Sequence, residues 1–356
     1  MIELKPQESM ATVKTVPASQ SGVSVEVLPR LSIIIPVLNA AGVIERCLRS
    51  IQAQDYPRDR MEILAADGGS SDSTREIIAR YGGLVLENPL RIAEEGKRVA
   101  LAKANGEFIV FLDADNELSH TDFLSLAVHA LQKHSQALGL ESYYPAGPDM
   151  GAFCAYLTAT LHISDPISWM LSVKPVQARS EGPVEIWSYP PDSLAYPLGA
   201  NGFIFRKSDL ASIGAGEKFE DTVMVLRLAQ QGRREWLRLS GRGVHHYIVN
   251  GLADFLKKRR RQTYHFLSLR NQHASWTNEH PRMPGWLACI ACGTVIVPLL
   301  QAISGWIKTG DRRWFWHPLA SLLSAAGVAW GVLTFLISKR TSDAEAALQP
   351  TQRIGK

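Results

Sequence analysis

The sequence predicts an α/β fold: a doubly wound, mostly parallel sheet with ligands at the carboxyl ends of its strands, followed by apolar C-terminal helices. Three observations predict it. Short β-branched apolar runs alternate with helical runs from Leu31 to Leu112, the acidic triplet Asp113-Ala114-Asp115 follows the last of those strands, and Trp286–Ile307 and Trp314–Ser338 contain no charged residue.

Leu31–Val37 reads as a buried parallel strand, broken by Asn39 to Gly42. Ile44, Cys47, Leu48 and Ile51 recur at helical spacing, and the Tyr56-Pro57 step ends that helix. Met61–Ala66 is the second strand, Asp67–Thr74 a turn rich in helix-capping residues, and Arg75–Tyr81 the helix after it. A weak strand at Leu84–Glu87, a helix near Ile92–Ala104 and a strong strand at Phe108–Leu112 complete the alternation, and a helix near Thr121–His134 follows. From Glu141 to Pro197 the pattern is irregular, with one apolar helical run at Phe153–His162. Regularity returns with a short strand at Gly202–Phe205 and a helix at Thr222–Gln231 closed by Gly232.

Gly251–Trp276 mixes the basic run Lys257–Arg261 with Phe255, Leu256, Tyr264, Phe266 and Leu267, which suits a helix at a membrane surface. A bilayer core needs about 20 helical residues, and both charge-free stretches meet that length. Trp286, Trp306, Trp314 and Trp316 sit at their ends, as interfacial aromatics do. The expectation is a transmembrane hairpin, 286–307 and 314–338, with both ends in the cytoplasm. The basic loop holding Lys308, Arg312 and Arg313 weakens that orientation, and a hairpin that enters and returns without crossing is the alternative. Residues 1–30 lack the apolar core of a signal peptide and read as a flexible tail, as do 339–356, so the catalytic domain is expected in the cytoplasm. A net charge of +4 excludes a broad nucleic-acid surface, and four scattered cysteines exclude a disulfide framework. Cys289 and Cys292 form a CxxC without a second ligand pair and read as small residues of a membrane helix.

Asp113 and Asp115, splayed by a turn at a strand end, can reach a hard divalent cation shared with a diphosphate. Such a triplet is common in acidic turns, and its position at the sheet edge gives it weight. Asp67 ends a neighbouring strand, where a carboxylate either accepts hydrogen bonds from a base or ribose or caps the following helix. Pro36–Asn39 would form the other wall of a nucleotide pocket. Glu220 and Asp221 favour the start of the helix at Thr222. His246 follows a predicted strand, and a neutral imidazole there could complete a metal shell, although a lone histidine is more often a packing residue.

Four ordered segments, Ser32–Asn39, Asp67–Thr74, Ala104–Ile109 and Phe111–Asn116, resemble the family 2 glycosyltransferases of GT-A fold. The resemblance implies that 31–120 form the nucleotide-sugar half and 121–245 the acceptor half, with a basic interface segment at 246–284. It implies that Asn39 and Asp67 contact the nucleoside, that Lys97 or Arg98 lies near the donor, and that Asp113, Ala114 and Asp115 handle the metal diphosphate. Where the family often has Ala-Arg-Asn, this chain has Gly96-Lys97-Arg98, so Arg98 replaces the amide. Gly199–Arg206, with Asn201 and Gly202, looks like the acceptor-side segment, and Phe219-Glu220-Asp221 looks like the pair that supplies the catalytic base, Asp221. His246 fits the family spacing better than His245. The implied cofactor is Mg2+ or Mn2+, and the implied partners are a nucleotide-diphosphate sugar and a lipid-linked or cell-surface glycan acceptor at the cytoplasmic membrane. Two alternatives stand beside this: a polyprenyl-phosphate glycosyltransferase, and an inactive nucleotide-sugar-binding partner in a polysaccharide assembly. The sequence assigns no oligomeric state.

Overall fold

The computed structural model describes residues 28–162, 165–172, 174–189, 198–199, 201–269 and 283–348. The expected N-terminal tail up to residue 27, the stretches 190–197 and 270–282, and residues 349–356 lie outside the described residues.

The N-terminal part alternates as expected: β1 (Leu31–Val37), α1 (Ile44–Gln52), β2 (Met61–Asp67), α2 (Thr74–Arg80), β3 (Leu84–Glu87), α3 (Ala93–Lys103) and β4 (Phe108–Phe111). The chain continues with β5 (Asn116–Leu118), α4 (Phe123–Lys133), β6 (Leu140–Glu141), α5 (Ala152–Ala155), which continues as a π-helical turn over Tyr156–Thr160, and α6 (Pro166–Leu171). Then come β7 (Val176–Glu181), β8 (Val184–Ser188), β9 (Phe203–Arg206), α7 (Lys207–Ser212), α8 (Asp221–Gln230), β10 (Glu235–Leu239) and β11 (Val244–His246). The C-terminal part is α9 (Leu252–Leu269), α10 (Gly285–Gly293), α11 (Ile296–Thr309) and α12 (His317–Leu348).

The main sheet has the order β3-β2-β1-β4-β9-β6-β10-β8-β7, and β11 pairs with β5 in a separate ribbon. β3, β2, β1 and β4 run parallel, whereas β9 enters antiparallel beside β4. Side-chain alternation along β1 divides the core. Ile33 and Ile35 pack with Ile44, Leu48 and Phe123 on one face, and Ile34 packs with Phe111, Phe205 and Met224 on the other. Burying each such side chain stabilises the fold by about 1.5–3 kcal/mol. The weak signal of β3 has a physical cause: it is an edge strand and Leu84 stays exposed.

The region expected to be irregular holds a hairpin, β7–β8, turned at Gly182 with φ +61°. The expected span 286–307 is not one helix. α10 and α11 meet at 85° across Thr294–Val295, because Pro298 lacks an amide donor and its ring would strike the Thr294 carbonyl in a continuous helix. Among the described residues, one helical stretch, Arg312–Lys339, is long and apolar enough to cross a membrane. α12 continues to Leu348, where the expected tail is rich in helix-forming alanines.

Candidate active site

The acidic triplet lies where β4 leaves the sheet. Leu112 donates its amide to the Ile34 carbonyl, and the chain then turns so that the Asn116 amide reaches the Asp113 carbonyl at 3.0 Å. Asn201 braces that turn: its Oδ1 accepts the Asp113 amide at 3.0 Å and the Asn116 side-chain amide. Gly202, at φ +67°, donates its amide to the Phe111 carbonyl, and a Cβ there would come within 3.0 Å of Ser142 Cβ. The acceptor-side pair expected from the sequence therefore shapes the acidic turn from behind.

The β5–β11 ribbon brings His246 opposite Asn116, one residue beyond Asp115. His246 Nε2 lies 3.8 Å from Asp115 Oδ1, and Asp113, Asp115 and His246 each offer a ligand atom within 4.8 Å of the others. His245 turns away, its Nδ1 2.9 Å from the Pro145 carbonyl. Burial, reinforced by the charge of Asp113, pushes the Asp115 carboxyl up to about 6. Burial also pushes His246 down to about 3, with Lys258 and Lys97 adding to the effect. A neutral imidazole, two carboxylates and a buried Asp115 Oδ1 with no hydrogen-bond partner fit a hard divalent cation.

α3 supplies the cation at the centre. Gly96 lets that helix approach the sheet, since a Cβ there would lie 3.2 Å from Ala66 Cβ and 3.3 Å from Pro36 Cβ. Lys97, only 2% exposed, places Nζ 2.9 Å from both carboxylate oxygens of Asp221 and 3.9 Å from Asp113 Oδ1. Burial opposes the Lys97 charge, yet Asp221 and Asp113 outweigh it and raise its pKa. Arg98 goes elsewhere, to Glu95 and the Gly216 carbonyl, so Lys97 is the basic residue that reaches the acids. Asp221 opens α8, and the preceding Glu220 is buried and pairs with Lys218 at 2.5 Å.

On the other side of the edge, Val37 is in register with Asp67. Asp67 is 0% exposed; its oxygens accept from the Ser70 amide and hydroxyl, with Arg75 Nη1 at 3.4 Å. The carboxylate thus staples its own turn. Asn39, at φ +50°, accepts the Ser71 amide through Oδ1 and donates its own amide to Ser70 Oγ, tying the Pro36–Asn39 segment to the same turn. Ala114 packs against the core.

Sequence reasoning missed three contributors. Arg91 donates to the carbonyls of Gly68 and Gly69, Asn116 joins the brace around Asn201, and Lys258, which donates to the Ile248 carbonyl at 3.1 Å, is close enough to Asp115 for its charge to oppose the rise of that carboxyl's pKa. Only Asn116, beside the triplet, carried a local signal.

Residues 32–146 match the family described as "Glycosyl transferase family 2". Glycosyltransferase AglE of Haloferax volcanii is 30% identical over 129 residues, covering 34% of this chain and 42% of that protein. The GalNAc(5)-diNAcBac-PP-undecaprenol beta-1,3-glucosyltransferase of Campylobacter jejuni is 31% identical over 119 residues, covering 32% of this chain and 38% of that one. The chain thus matches less than half the length of either relative. The mannosyltransferase PcManGT of Pyrobaculum calidifontis, solved with GDP-Man and Mn2+, superposes with a TM-score of 0.50 at 18% identity, over 87% of this chain and 88% of that one. That likeness shows the fold. With the motifs and the sheet edge in agreement, residues 32–146 form a domain of glycosyl transferase family 2.

Proposed function

We propose that the chain is an inverting glycosyltransferase that uses Mg2+ or Mn2+ and moves a sugar from a nucleotide diphosphate to a lipid-linked or cell-surface glycan acceptor at the cytoplasmic membrane face. The observation that carries this reading is the convergence of Asp113, Asp115, His246, Lys97 and Asp221 on one sheet edge. Asp113, Asp115 and His246 would hold the cation, which when bound neutralises charge building on the departing diphosphate. Lys97 adds a fixed positive charge in a place that excludes water. Asp221, one-third exposed, takes the proton of the acceptor hydroxyl as that oxygen attacks the anomeric carbon and the nucleoside diphosphate leaves. Pro36–Asn39 and the turn stapled by Asp67 form the nucleoside wall. The acceptor class is supported by the Campylobacter relative, whose name specifies an undecaprenol-linked substrate.

A second reading has its own support. Lys97 engages both oxygens of Asp221, which suits an acceptor that arrives already ionised, a polyprenyl phosphate. Nucleoside diphosphate released from a panel of nucleotide sugars, with membrane extract as acceptor and either cation, tests both. The proposal expects Asp115→Asn and Asp221→Asn to be inactive; Asp221→Asn active with Asp115→Asn dead selects the phosphate acceptor. Full activity in both variants rejects the assignment.

A further inference from the structure

The C-terminal helices are polar on one broad side and apolar on the other. α9 packs along α12, and the contact is close because two glycines remove the side chains between them. A Cβ on Gly327 would lie 2.6 Å from Arg259 Cβ, and one on Gly331 would lie 2.6 Å from Thr263 Cβ. The seam is polar. Arg259 Nη2 sits 3.2 Å from the buried Asp165, which Ser324 also contacts, and the Arg260 guanidinium lies 4.7 Å from the Trp330 ring centroid. The free side of α9 exposes Lys257, Arg261 and His265, whereas that of α12 exposes Leu319, Leu322, Leu333, Leu336 and Ile337.

Gly327 and Gly331 fall near the middle of the stretch that is long enough to cross. With α12 upright in a bilayer, Lys257, Arg260 and Arg261 would stand at the hydrocarbon mid-plane, where central charges are strongly disfavoured. With α12 lying flat, its apolar side enters the acyl layer and α9, one helix diameter above, reaches the phosphates. The 85° break fits the same placement: α11 exposes Ile296, Leu300, Ile303 and Ile307, and the chain returns to the surface at Lys308.

We propose that α9–α12 form an in-plane docking bed that sinks into one leaflet of an anionic membrane without crossing it. This rests on the membrane-associated acceptor in the reading above, and its test uses no activity, so its failure and the failure of the catalytic reading are distinguishable. The full chain is added to preformed phosphatidylcholine vesicles with and without phosphatidylglycerol, and binding is read by flotation. Binding should be tighter with phosphatidylglycerol and weaken with salt. Lys257→Glu and Arg261→Glu should each cost about fivefold on the anionic vesicles. Leu300→Glu and Ile303→Glu, at exposed positions that leave the core intact, should each cost about tenfold or more on both.

Thr309→Cys and Lys339→Cys, treated with a membrane-impermeant maleimide and mapped by mass spectrometry, distinguish lying from crossing. The bed predicts that both label on intact vesicles. Labelling of one only after permeabilisation establishes a crossing helix and overturns the proposal. So does a chain that ignores vesicles and self-associates instead, because a second copy then covers the apolar side; binding indifferent to salt and to the α9 variants removes the headgroup assignment.

Discussion

Lys97 and Asp221, 124 residues apart in sequence, meet head-on, with the buried ammonium equidistant from both carboxylate oxygens. The contact locks α8 to α3, and Asp113 shares the same cation.

Replacing Lys97 with Met keeps most of the buried volume and removes the charge. Asp113 and Asp221 then lose their common partner. Turnover should fall roughly ten- to a hundred-fold, as when a group that orients a site is removed. Stability measured by urea unfolding should drop by about 2 kcal/mol, less than for a fully buried pair because Asp221 keeps 32% of its side chain exposed. Wild-type turnover in this variant would show that the pair is structural only.

Cation binding should depend on pH through Asp115. Its carboxyl titrates near 6, so below that pH a proton occupies the ligand and must leave before the cation enters. His246, pushed down to about 3, stays neutral through the same window and does not compete. Mn2+ affinity should therefore be level above pH 7 and weaken below 6, approaching about tenfold per pH unit for one displaced proton. Calorimetric titration at a series of pH values checks this, and a flat profile down to pH 5 contradicts it.

Asn201→Ala should act on the acidic turn without touching the cation. The variant leaves the Asp113 amide and the Asn116 side chain without their shared acceptor. Loss of such buried partners costs about 1–3 kcal/mol, and the loosened turn should weaken Mn2+ binding roughly ten- to a hundred-fold. Thermal unfolding and the same titration measure both. Asn201→Asp, which keeps the acceptor oxygen but adds a third carboxylate, should not restore turnover.

The N-terminal half of the sheet was legible because its inner strands are buried on both faces. Ile33, Ile34 and Ile35 leave an unbroken apolar run, and each strand ends at residues that the parallel register must place on one edge. The site was legible as far as those ends go. His246 was weighed as a ligand without a route to the triplet, because the β5–β11 ribbon pairs segments far apart in the chain and leaves no local pattern. Asp67 was harder: a carboxylate at a strand end looks the same in sequence whether or not it holds its own turn, and its bonds to Ser70 and Arg75 emerge only in the folded chain. The break before α11 was written in the sequence as Pro298, but a composition window weighs apolarity and overlooks the carbonyl four residues back. The hairpin β7–β8 was hidden by charged residues on an exposed edge strand, where alternation carries little apolar contrast.

The central claim is that Asp113, Asp115 and His246 hold one cation. Anomalous diffraction from crystals grown with Mn2+ and a nucleoside diphosphate tests it most directly. The account predicts a peak within coordination distance of Asp115 and His246, lost in Asp115→Asn; a cation bound away from these side chains, with the triplet empty, contradicts it.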